Sequence, residues 1–207
     1  SHPQTQSPLF GVIPAEIRNL IYEFTLAQAE DGEHYPPNAY YYRPGYRRRG
    51  RVHAQLLLTC RRVYGETHGL PMRLATHPFW HSRGPPHAYR LKLLNFLRLT
   101  PKNLRDLEHV QFFTQLWWLE QGKLSADYLN QPRFQPRRIT ITIRHSDWWY
   151  WEKDHALKIE DAWVDRFRGP ATLRLLTMEF ETIERKAGQL DNIVAKQVPK
   201  WKFKRRN

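Results

Sequence analysis

Apolar residues first recur at helical spacing in residues 14–27, where Ile17, Leu20, Ile21 and Phe24 share one stripe. Pro14 stands where a first helical turn tolerates it, and Ile13 just before can staple that turn. The periodicity vanishes over residues 30–52, which carry Pro36, Pro37, Pro44 and two further glycines after Gly32, so one long surface loop is expected. A second helix is predicted over residues 54–67, with Leu56, Leu57, Cys60, Val63 and Tyr64 as a broad apolar stripe and Gly69 and Pro71 as stops. An irregular stretch follows, with one short strand around residues 78–81, and then a largely buried helix over residues 87–99.

The remainder alternates strand with helix. Residues 104–113, 137–144 and 173–180 read as short strands rich in β-branched and aromatic residues, with apolar residues alternating in the last two. Helical patterns lie at residues 115–128, 159–168 and 182–198, the last with Ile183, Ala187, Leu190 and Val194 on one face. Strands separated by helices pair most simply in parallel. The expected fold is therefore α+β or α/β, with N-terminal helices packed on a small mixed sheet of about three to five strands covered by helices. One domain is expected over residues 1–207: a helical part at 9–70 with an inserted loop at 30–52, an α/β part at 71–200, and a tail at 201–207.

Composition changes this picture in three ways. No apolar run is long enough for a membrane span, and residues 1–8 lack the pattern of a signal peptide, so a cytoplasmic or nuclear location is expected. The single cysteine, Cys60, can form neither an internal disulfide nor a cysteine zinc site, and its place on an apolar stripe predicts packing rather than nucleophilic chemistry. The excess of 33 Lys and Arg over 20 Asp and Glu, a net charge of +13, favours a polyanion or an acidic protein face as partner.

The segment Leu9-Phe-Gly-Val-Ile-Pro-Ala-Glu-Ile-Arg-Asn-Leu-Ile-Tyr-Glu-Phe24 resembles the opening of an F-box, with Ile13, Pro14, Glu16, Ile17 and Ile21 at the matching positions. Leu56-Leu-Leu-Thr-Cys-Arg-Arg-Val-Tyr-Gly-Glu66 is similar to the second signature of fungal F-box-like proteins, and the stretch from Ile139 to Glu152 and the closing segment from Leu173 to Trp201 resemble the same group. The resemblance implies a non-enzymatic protein-interaction module, a substrate-recognition or adaptor protein of a ubiquitin ligase. Its N-terminal helices would dock on the Skp adaptor through Leu9, Phe10, Ile13, Pro14 and Ile17. An F-box is compact, whereas here a basic loop separates the two signature helices.

That loop supplies a second candidate site. Tyr40, Tyr41, Tyr42, Arg43, Tyr46, Arg47, Arg48, Arg49 and Arg51 combine guanidinium groups that fork onto phosphate with rings that stack on bases, a composition suited to single-stranded RNA or DNA. Lys202, Lys204, Arg205 and Arg206 form a basic tail that can contact phosphate or serve as a nuclear address. A third candidate is Trp148, Trp149, Tyr150 and Trp151, because four successive aromatics cannot all enter a core by period-two alternation and exposed ones would anchor a partner.

Catalytic chemistry has little support in the chain. There is no Walker loop, dinucleotide fingerprint or G-x-S-x-G elbow, so neither catalytic residues nor a cofactor are assigned. His77 and His81 are four apart, but Pro78 interrupts the helix that would bring them together, and no metal site is assigned. Glu179 and Glu181 share one face of a predicted strand and read as ordinary surface carboxylates.

Overall fold

A computed structural model describes residues 4–86 and 104–206, and the helix expected over 87–99 lies outside the described residues. The chain opens with a helical turn, α1 (Pro8–Gly11), and the helix α2 (Ala15–Leu26). Strands β1 (Gln28–Asp31) and β2 (Arg49–Val52) pair antiparallel, so the segment read as one loop is a two-stranded ribbon with an excursion between its strands. The second signature segment is two pieces, a 3-10 turn (Ala54–Leu58) and α3 (Arg61–Thr67). Thr59 turns its hydroxyl onto the Leu56 carbonyl, and Cys60 takes an extended backbone and caps α3, its sulfur accepting from the Val63 amide at 3.5 Å. Cys60 is thus a half-buried cap rather than a buried packing residue. Gly69 and Pro71 open a further short helix, α4 (Leu70–Leu74), instead of stopping the path.

The main sheet has four parallel strands in sequence order: β3 (Thr76–Trp80), β4 (His109–Phe113), β5 (Arg138–Ile143) and β7 (Leu175–Phe180). Between them come α5 (Leu116–Glu120), a π-helical turn (Ser125–Leu129), α6 (Ala162–Arg166) and the two-residue strand β6 (Arg168–Gly169). Helix α7 (Ala187–Lys196) follows, and the two-residue strand β8 (Lys204–Arg205) runs parallel to β6. The fold is α+β.

Register separates the sheet into two unlike faces. Val110, Phe112, Ile139, Ile141 and Ile143 are fully or almost fully buried on one face, in one core with Leu116, Leu119, Phe134, Trp163, Phe167 and Ile193. The opposite face carries Thr76, His109, Gln111, Thr140, Thr142 and Glu179 at the alternate positions. Parallel sheets normally bury apolar residues on both sides. Here polar side chains bond across strands instead: His109 lies between the Thr76 hydroxyl (2.8 Å) and the Thr140 hydroxyl (3.0 Å). Burial first, then Arg138 and His77, hold His109 below the ordinary imidazole range, in keeping with a neutral ring bridging two hydroxyls. Among the described residues this face is covered by the ribbon and its excursion rather than by helices: Tyr46 rests on Trp80 and Phe113, each at 5.4 Å, and Gln28 accepts from the Thr76 amide at 2.9 Å.

Candidate functional site

Helix α2 has two stripes, and the less apolar one faces the protein. Tyr22 and Leu26 are fully buried. The Tyr22 hydroxyl donates to Glu66 at 2.9 Å, and Arg18 and Arg62 reach the same carboxylate at 3.5 and 3.2 Å, so a partly exposed polar hub joins α2 to α3. The stripe expected to pack inward is turned to solvent: Ile17, Leu20, Ile21 and Phe24 are 48, 49, 37 and 83% exposed. Leu58 and Tyr64 of the second signature segment, which packs beside α2, are exposed as well. The two apolar stripes therefore do not bury each other. A tyrosine body with a bonded hydroxyl fills the interface, and an arginine at i−4 extends the same side of the helix.

Of the residues assigned to adaptor docking, Leu9, Phe10 and Ile13 are half-buried and Pro14 and Ile17 exposed, so none is lost to the core. The Phe10 ring carries the Arg62 guanidinium at 4.2 Å. Leu20→Ala should therefore change stability by less than about 0.5 kcal/mol, the range of surface substitutions, instead of the loss of about 2 to 5 kcal/mol expected of a buried leucine. Urea unfolding of the variant measures the difference.

The Arg/Tyr loop is strapped down and its members divide. Arg43 is 2% exposed and pairs with the equally buried Asp147 at 3.2 Å, so its assignment to nucleic-acid contact is corrected: the guanidinium is committed inside the fold. Arg144 grips the loop from the end of β5, donating to the Ala39 carbonyl at 2.7 Å and the Pro37 carbonyl at 3.0 Å while pairing with Glu181 at 3.2 Å. Tyr41 and Tyr46 pack on Tyr35 at 5.1 and 5.7 Å, and Tyr42 lies half-buried beneath Arg144. Tyr40 remains 45% exposed, under Arg83 at 4.2 Å. Arg47, Arg49 and Arg51 stay exposed at alternate positions, while Arg48 is drawn to Glu30 and His34.

The aromatic segment also divides. Trp148 is 3% exposed, packs on Phe180 at 5.8 Å and donates its indole N–H to the Glu181 carbonyl, so its assignment as a partner contact is corrected. Trp151 is half-buried beside His145. Trp149 and Tyr150 are 39 and 55% exposed, and the left-handed backbone of Tyr150 turns the chain so that the pair projects outward. The indole of Trp149 is anchored to Glu120, a buried carboxylate whose pKa burial raises.

The basic tail is an ordered strap. Trp201 and Phe203 pack on Trp163 at 5.4 and 5.3 Å, while Lys202 and Lys204 alternate with them on the exposed side and Arg205 is exposed as well. Arg206 is half-buried, its amide donating to the Gly169 carbonyl at 2.8 Å. His77 donates a ring N–H to the Met72 carbonyl, and among the described residues no three His, Cys, Asp or Glu side chains are grouped to hold an ion.

Polar residues that the sequence analysis passed over line the sheet: His109, Gln111, Thr140 and Thr142. The available signal was polar residues at every second position of two neighbouring strands in a sheet expected to be parallel. Glu179, expected as a surface carboxylate, is half-buried and accepts from Thr142 at 2.7 Å and Gln111 at 3.3 Å. Comparison of the chain with protein-family models, curated proteins and solved structures found no match.

Proposed function

We propose that the chain is a non-enzymatic protein-interaction module of the F-box-like type that docks on the Skp adaptor of a ubiquitin ligase through α2. The observation that supports this most is the solvent-facing stripe of Ile17, Leu20, Ile21 and Phe24. Leaving four large apolar side chains in water forgoes hydrophobic stabilisation, and an exposed apolar stripe of this kind marks an interaction surface. It coincides with the segment whose sequence resembles the F-box opening. Trp149 and Tyr150, large rigid rings held at their base by Glu120 and His155, offer a separate anchor for a captured target. Among the described residues no helix is long and apolar enough to cross a membrane, and a cytoplasmic or nuclear location belongs to the same proposal.

Co-purification with the Skp adaptor tests the reading. The wild-type chain should form a complex, and Ile17→Asp combined with Phe24→Asp should weaken it at least tenfold while leaving the melting temperature unchanged, because both positions lie outside the core. Absence of a wild-type complex, or equal binding by the variant, overturns the proposal.

A second reading, binding of single-stranded nucleic acid, keeps the exposed row Arg47, Arg49 and Arg51, with the exposed tail residues Lys202, Lys204 and Arg205. The same co-purification with nuclease added or omitted separates the two. Adaptor that stays bound after nuclease supports docking, whereas RNA recovered from untreated samples without adaptor supports the alternative.

A further inference from the structure

We propose that the cleft between the β1–β2 ribbon and the polar face of the main sheet binds a small molecule through a protonated amine. The cleft has a volume of about 290 Å³, with Glu30, Tyr46 and Arg48 among the residues of its roof and His109, Gln111 and Glu179 in its floor. That volume is at the small end of ligand sites. The ribbon spans the polar face without filling it. At Gly45, where a positive φ of 68° turns the excursion over the sheet, an added Cβ would already stand 3.7 Å from the Gln111 amide.

The floor's chemistry follows from one acceptor. A carboxylate only accepts, so Thr142 must donate its hydroxyl to Glu179, and the oxygen of that hydroxyl is left to accept from Gln111. Gln111 thus turns its NH₂ toward Thr142 and Glu179 at 3.0 and 3.3 Å, which sets its Oε1 on the other side. Both bonds to Glu179 fall on Oε2. Among the described residues, no hydrogen bond is formed to Glu179 Oε1 or to Gln111 Oε1. His109 is occupied on both ring nitrogens by threonine hydroxyls and offers the cleft no further group.

What remains open in the floor is therefore two acceptors, one of them on a charged group, within a sheet whose Gln111, Thr140 and Thr142 are 6, 7 and 0% exposed. A ligand matching them must bring N–H donors and positive charge, because a charge-assisted hydrogen bond to a carboxylate is stronger than a neutral one. An anion would meet Glu179 unfavourably. The cation in the roof, Arg48, faces Glu30 at 3.8 Å and bonds His34, with its Nε making no hydrogen bond, so the lining sets two carboxylates, Glu30 and Glu179, against one guanidinium. On a chain of net charge +13 this cleft is a local acceptor site for a cation, and it lies on different elements from the α2 stripe.

Titration of the full chain with putrescine and agmatine, followed by calorimetry and by the His109 ring resonances, tests the proposal. At least one amine should saturate and shift those resonances, while 1,4-butanediol, the neutral analogue of putrescine, should not. Glu179→Gln, which keeps an oxygen for Thr142, should weaken binding at least tenfold. Glu30→Lys, on the side of β1 that also turns Gln28 to the sheet, puts a positive charge in the lining at an exposed position and should weaken binding at least tenfold with the melting temperature retained. Absence of saturable binding by both amines, equal binding of the diol, or unchanged affinity in folded Glu179→Gln and Glu30→Lys overturns it.

Discussion

Replacing Arg43 by alanine should destabilise the protein by about 3 to 5 kcal/mol near neutral pH, because it strands a buried carboxylate. Asp147 is 6% exposed, and Arg43 supplies its charged partner at 3.2 Å, with the Arg144 amide at 2.9 Å the other donor. Burial pushes the Asp147 carboxyl up to about 6 despite the attraction of Arg43, and burial likewise lowers the pKa of Arg43. Desolvation outweighs attraction on both sides of the pair, so the pair specifies where the loop sits more than it stabilises the fold.

The pH dependence has a definite sign. A carboxyl whose folded pKa lies above its ordinary value of 3.8 binds a proton in the folded state that the unfolded chain has released, so its contribution to stability falls as pH rises between about 4 and 6. In Arg43→Ala the carboxyl loses its attractive neighbour and its pKa rises further. The penalty of the substitution should therefore grow as pH rises above about 6, where the wild-type carboxyl is charged beside Arg43, and level off at its smallest below about 6, where Asp147 is protonated in both proteins. Urea unfolding near pH 7 and near pH 5 measures both. An equal penalty at the two values, or one below about 1 kcal/mol near pH 7, would falsify the assignment of Arg43 as the buried partner of Asp147.

Trp163→Ala should cost about 3 to 5 kcal/mol through a different cause, the cavity left by a large ring. Trp163 is 1% exposed, and three rings surround it: Phe167 from its own segment, and Trp201 and Phe203 from the tail. Its removal takes away the surface on which the tail docks, leaving the pairing of β8 with β6 and bonds such as Trp201 to Asp161 to hold the strap. Amide exchange should show residues 201–206 losing protection before the main sheet does. Protection at wild-type levels in the variant would mean that the backbone pairing alone secures the tail. The exposed Lys202 and Lys204 are held in alternation with the rings, so loosening the strap also scatters the basic cluster.

Much of the scaffold was legible in the chain. The Ile-Thr-Ile-Thr-Ile run of β5 and the Leu-Leu-Thr-Met-Glu-Phe run of β7 are period-two signals in β-branched and large apolar residues, and both are strands with the parallel pairing expected of strand, helix, strand order. Helix α2 and its boundaries follow from spacing and from Pro14. These features are local, set by residues a few positions apart.

Facing and partnership are not local, and tertiary structure alone decided them. Periodicity finds an apolar stripe on α2 but not which side meets the protein. Glu66, 44 residues beyond Tyr22, settles that by giving the tyrosine hydroxyl a partner. Composition marks Arg43 as one of five loop arginines, yet only Asp147, 104 residues away, removes it from the surface. Likewise Thr140 and Thr142 alternate with isoleucines in a way that suggests a face turned to water, and the ribbon inserted between the two signature segments roofs that face and makes a cleft of it. The sequence by itself determined elements such as α2, β5 and β7, because their helix and strand periods are written in adjacent residues. The tertiary structure decided which stripes, charges and rings remain available, because burial of a polar group depends on a partner brought from far along the chain.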